Sequence, residues 1–177
     1  NNLSYTLEAP RNTYVNMEWN NLDDPRVEEK EDIMTYTWEI ESIENAKPEL
    51  LMPNSWDAYS WIAFSSFKNW DEVGSWYSRL AAEYDTYQTD PEIENEVDNL
   101  ISEDMSGFDK VMAIYRFVAE KIRYVGISRG LGRVKPHNAT SVYHALYGDC
   151  KDQATLMIAM LNYAGIRSYP ALLGTTS

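Results

Sequence analysis

Apolar side chains change their spacing about a third of the way along this chain, and that change limits the fold more than any other feature. Before it, apolar and aromatic residues recur at roughly every second position in YTLEA (5–9), TYVNMEW (13–19) and IMTYTWEIESI (33–43). Period two is the pattern of a strand with one buried face. From NWDEVGSWYSRLAAEY (69–84) onward the spacing is three to four, the period of a helix. Val73, Trp76, Tyr77 and Leu80 share one face of that first helix. Asp90 before Pro91 marks a second start, with Ile93, Val97, Leu100 and Ile101 as its stripe. Ser106, with Asp109 three residues on, opens a third helix whose buried face is Val111, Ile114, Tyr115 and Val118. Strands followed by helices predict an α+β fold. An antiparallel β segment with its linker occupies 1–67, and a helical domain occupies 68–177.

The intervening stretches read as connections. NNLDDPRVEEKED (20–32) is polar, contains Pro25 and is expected to be a loop or long hairpin connection. Pro48 and Pro53 interrupt AKPELLMPNSWDAYSWIAFSSF (46–67), which predicts an extended linker. KIRYVGI (121–127) suggests a short extended segment, SRGLGRVKPHNAT (128–140) a surface loop, and TSVYHAL (140–146) a short helix.

Charge and composition remove several function classes. The net charge is −13, but residues 1–105 carry −18 and residues 106–177 carry +5. Such a break marks a change of module, and the acidic half argues against a nucleic-acid partner. No run of about 18 apolar residues is present to span a bilayer. NNLSYTLEAP lacks the charged start and apolar core of a signal peptide. One cysteine cannot form an intramolecular disulfide, and with only His137 and His144 beside it a four-ligand zinc site falls short. The acidic run at 20–32 lacks the spacing and central Gly of a calcium loop. Gly126, Gly130 and Gly132 are not followed by GK[ST], so they do not make a phosphate cradle. No metal or cofactor is expected.

The chemistry concentrates at Cys150, in YGDCKDQATLMIAM (147–160). Asp149 suits an N-cap, Asp152 adds negative charge to the first turn, and the residues that follow are apolar all round, as in a buried helix. Gly165 suits the left-handed stop, and IRSYPALLG (166–174) then reads as a strand. A cysteine in a first helical turn faces unpaired backbone N–H groups, which favour a thiolate and can also donate to a developing oxyanion. The other reading is packing, since free Cys is among the most buried residues. A packing cysteine belongs more naturally mid-helix, among the methionines.

These residues resemble the cysteine half of the transglutaminase-like domain, a branch of the papain-like thiol enzymes. The features that match are GDCKD with the buried helix, Gly turn and strand after it, the upstream FVAEKIRY, and the join SSFKNWDEVGSWY. The N-terminal strands resemble the end of a β-rich domain that precedes this enzyme domain in exported bacterial proteins. The resemblance implies a papain/transglutaminase-like partial domain, Cys150 as the nucleophile of a Cys–His–Asp triad, and a periplasmic or extracellular location. It also implies a peptide or protein substrate, with the acyl group passed to water (protease or amidase) or to an amine (acyl transferase).

The family's His and Asp lie on strands after the point where this chain stops, so the chain is expected to be a truncated and inactive piece. Neither His137, in the family's PH position near the site, nor His144 matches the triad histidine. The C-terminal strand SYPALLG, lacking later partners, is expected to pair with a second copy as a homodimer. A rival reading is a non-catalytic protein- or carbohydrate-binding module, for which six Trp and 13 Tyr supply the aromatic surface.

Overall fold

The computed structural model describes residues 3–40, 59–82, 85–126 and 130–173. Two units divide the chain, one over residues 1–74 and one over 75–175. The fold is α+β, with antiparallel strands first and helices after them.

In the first unit, β1 (Leu3–Pro10), β4 (Ile33–Ile40) and β3 (Arg26–Lys30) form an antiparallel sheet in the order β1-β4-β3. β2 (Asn16–Asn20) pairs antiparallel with β5 (Trp61–Ser65). Trp38 on the central strand is almost wholly buried. Its ring meets Trp19 of β2 edge-on at 5.8 Å and Tyr5 of β1 at 6.1 Å, so aromatic packing joins the two sheets.

Two connections are corrected here. The polar stretch 20–32 contains β3, which pairs with β4 in the register Lys30↔Ile33. Glu31 and Asp32 make a two-residue turn with φ of 51° and 63°. Two left-handed residues match the strand twist, which is the geometry of a type I′ hairpin. β3 is exposed along its whole length, so it carries none of the apolar alternation that marks a strand. The expected linker 46–67 contains β5; its residues 46–58 lie outside the described residues, as do positions 41–43 of the third predicted strand.

In the second unit the helices pack around one apolar core. α1 (Trp70–Ala82) begins in the first unit and runs into the second. α2 (Pro91–Leu100) contributes Ile93 and Val97, and α3 (Gly107–Lys121) contributes Ile114 and Val118. α4 (Ala139–Ala145) adds Val142. α5 (Cys150–Tyr163) lies against α2, α3 and α4 and buries Leu156 and Met160 completely. Each such side chain is worth about 1.5–3 kcal/mol of transfer from water. Tyr115 was expected on the buried face of α3 but is 51% exposed. Phe117 packs on the core instead, stacked on Tyr143 of α4 at 6.2 Å.

The path from α4 to α5 is short and tightly specified. Leu146 ends α4 in the left-handed region, at φ 57°. Tyr147–Gly148 (β7) then pairs parallel with Arg123–Tyr124 (β6), and Asp149 starts α5. At the far end, Gly165 has φ +77°, its N–H donates to Asn162 O, and the Ile166 N–H donates to Leu161 O. This pair of bonds is a Schellman stop, which a residue with a Cβ resists. Residues 166–173 are irregular, which corrects the predicted strand there. A strand exists only where its backbone is paired, and among the described residues none pairs with this segment. Its Tyr169, Leu172 and Leu173 are exposed.

Candidate active site

The GDCKD motif folds into an interlocked helix start. Asp149 is the N-cap of α5, and its Oδ1 accepts from the N–H groups of Lys151 (3.1 Å) and Asp152 (3.4 Å). Asp152 completes a capping box by accepting from the Asp149 N–H at 3.0 Å. The Lys151 ammonium donates to Asp149 Oδ2 and partly offsets its charge. Gly148 is required by closeness: a Cβ there would stand 2.6 Å from the Asp152 Cβ and 3.1 Å from its Oδ2. The spacing of the motif is therefore geometric, with the Gly making room for the second Asp.

Asp152 is only 3% exposed and holds a loop as well as the helix. Its Oδ1 accepts from the His137 N–H at 2.9 Å and faces His137 Nδ1 at 3.2 Å. Burial pushes the Asp152 carboxyl up. Hydrogen bonds from the N–H groups of His137 and Asp149 and from the imidazole outweigh that, and hold it below the ordinary carboxylate range.

Cys150 is the first residue of α5, and it is exposed. Of the first-turn N–H groups, those of Lys151 and Asp152 bond the Asp149 side chain, and that of Gln153 bonds the Asp149 carbonyl at 2.9 Å. The Cys150 N–H has no acceptor among the described residues. Thiol and free donor thus sit on one residue at the positive end of a buried helix.

The two histidines part company. His137 sits at the start of α5, on Asp152. His144 instead bonds Asp90, the N-cap of α2, through Nε2 at 2.8 Å. Among the described residues neither imidazole contacts Cys150. Beside the cap lies a cavity of about 160 Å3, reached by Asp149, Asp152, His137, Ser141 and Val142. Among the described residues no His/Cys/Asp/Glu group is placed to hold a metal ion.

Tyr77 was read only as part of an apolar stripe, yet it belongs to this neighbourhood. Burial first, then Tyr87, Asp149, Asp152 and Cys150, raise its hydroxyl above the ordinary value. Burial does the same to Tyr87, whose hydroxyl oxygen is enclosed. Both therefore remain O–H donors at neutral pH. A Tyr within a helical apolar face gives no sign of this in the sequence.

Comparisons with known proteins bear on the family and the fold. The transglutaminase-like superfamily matches residues 94–170, which run from within α2 through α5 and include Cys150. A crystal structure described as that of "a putative protease" from Parabacteroides distasonis superposes with a TM-score of 0.76 at 17% identity. The match covers 94% of this chain and 32% of that one, so this chain spans about a third of its length. At that identity the likeness is one of fold. No curated protein matches the chain.

Proposed function

Residues 94–170 form a transglutaminase-like core, and on that premise we propose that Cys150 is the nucleophile of an enzyme that opens acyl bonds, of the peptide amide kind, through a thioester. One observation carries this: an exposed thiol at the first position of a buried helix, on a residue whose N–H has no acceptor among the described residues. The sulfur would attack the carbonyl carbon, and the Cys150 N–H would donate to the oxygen as negative charge develops there. The acyl group then passes to water or to an amine. The imidazole that takes the thiol proton and returns it to the leaving amine would come from sequence outside these 177 residues, since among the described residues neither His137 nor His144 hydrogen-bonds Cys150. The 177-residue chain alone is then inactive, and the parent protein acts on peptides or proteins outside the cytoplasm, as an exported bacterial enzyme.

The test is alkylation of the folded chain by iodoacetamide at neutral pH, followed by intact mass. A single adduct, absent from Cys150→Ser, is expected at a rate no slower than in urea. Labelling that appears only after unfolding would remove Cys150 as a nucleophile.

A further inference from the structure

The cavity beside the α5 cap is one-sided in its hydrogen bonding, and that identifies a ligand. Gly148 and Asp149 form part of its wall, and Asp149 is bonded directly to Cys150. Its volume of about 160 Å3 equals roughly five waters at their liquid volume, room for one side chain of about five heavy atoms. Val125, Val142, Ala145 and Tyr147 make most of the wall apolar, which suits a methylene stem.

The polar side chains around it have acceptors to spare. A carboxylate offers about four acceptor sites. Asp149 uses three, on the N–H groups of Lys151 and Asp152 and the Lys151 ammonium. Asp152 also uses three, on the N–H groups of His137 and Asp149 and on His137 Nδ1. Asp152 stays ionised at neutral pH, so its remaining acceptor site is open to a donor. The Ser141 hydroxyl can turn to suit either role. The two carboxylates, against the single ammonium of Lys151, weight this polar end toward a cation. A ligand must therefore supply donors and positive charge at its tip and an apolar stem behind them.

We propose that this cavity is a recognition pocket for an alkylammonium side chain, of the lysine kind, carried by the substrate next to the carbonyl that Cys150 attacks. It rests on the assignment of Cys150 given above. An ammonium brings three donors to the spare acceptors of Asp149 and Asp152 and to the Ser141 hydroxyl. A carboxylate tip would face the two carboxylates of the wall.

The test compares Cys150 alkylation by Nα-acetyl-lysine chloromethyl ketone and by Nα-acetyl-norleucine chloromethyl ketone, two reagents with the same four-carbon stem that differ in the terminal ammonium. The lysyl reagent should react roughly five- to tenfold faster. The chain's net charge of −13 attracts any cation, so the ratio is also measured in Ala145→Trp and Ser141→Leu, exposed positions of α4 where a larger side chain fills the cavity. A ratio that drops severalfold in both variants supports the pocket. A ratio near one in the original chain, or unchanged in both variants, overturns it. If iodoacetamide fails to label the folded chain, the nucleophile is at fault, and the pocket is judged by NMR of the His137 ring. Saturable shifts with Nα-acetyl-lysine amide, but not with the norleucine amide, then support it. Equal or absent shifts overturn it.

Discussion

Two helices of the second unit start in the same way and differ in what the start can do. α2 and α5 each begin at an aspartate N-cap, and each cap region holds one of the chain's two histidines. At α2, Asp90 bonds the N–H groups of Glu92 and Ile93 and the His144 ring, and the first helical residue is Pro91, which has no N–H to offer. At α5, the first helical residue is Cys150, with a thiol and an N–H that has no acceptor among the described residues. The α2 cap is satisfied and closed. The α5 cap is satisfied everywhere except at the residue that could react. A cap becomes a candidate site through the residue in its first position and through the buried support that holds that position still.

Breaking that support should produce the largest effect. Gly148→Ala places a Cβ where Asp152 already sits, so the capping box must open or the strand pair β6–β7 must shift. Overpacking plus a lost cap costs about 3–4 kcal/mol. A clear fall in the urea midpoint and loss of folded-state selectivity in Cys150 labelling are expected. A variant as stable as the original would show that the Gly–Asp contact does not build the site.

The next effect sets the two caps against each other. Asp152→Ala leaves the His137 and Asp149 N–H groups without their acceptor in a buried place, a loss of about 2–4 kcal/mol. Asp90→Ala removes a more exposed cap, at about 1 kcal/mol. Urea unfolding of both variants measures the difference. Equal losses would mean that burial does not separate the two starts.

Much of this contrast was readable from the residues themselves. The caps Asp90, Ser106 and Asp149 and the left-handed Gly165 act within a few residues, so local chemistry announces them. What escaped depends on distant neighbours or lacks an apolar signal. β3 is charged and exposed, and its turn is Glu31–Asp32 rather than a Gly-containing pair. Asp152 reaches His137 across 15 residues, and Tyr77 comes to the α5 start only through the packing of α1. Residues 166–173 have strand-like composition, but pairing is decided by a neighbour and not by propensity.

The smallest effect is the acid response, and it tests whether burial changes how the two carboxylates couple to folding. Burial raises both Asp90 and Asp152, but hydrogen bonds from backbone N–H groups and histidine outweigh it and hold each below the ordinary value of 3.8. A group with a lowered folded value binds its proton less readily when folded than when unfolded. The stability it gives is full above about pH 3.8 and is lost as pH falls through the folded value. Replacing either residue by Asn should therefore flatten the fall in urea midpoint between about pH 4 and pH 2. Asp152→Asn should flatten it more, because its carboxylate is enclosed while that of Asp90 is partly in water, where salt screens it. Raising the salt should erase the Asp90 contribution first. If both substitutions flatten the curve equally, and salt acts equally on both, the α5 start is an ordinary cap electrostatically, and only the identity of its first residue sets it apart.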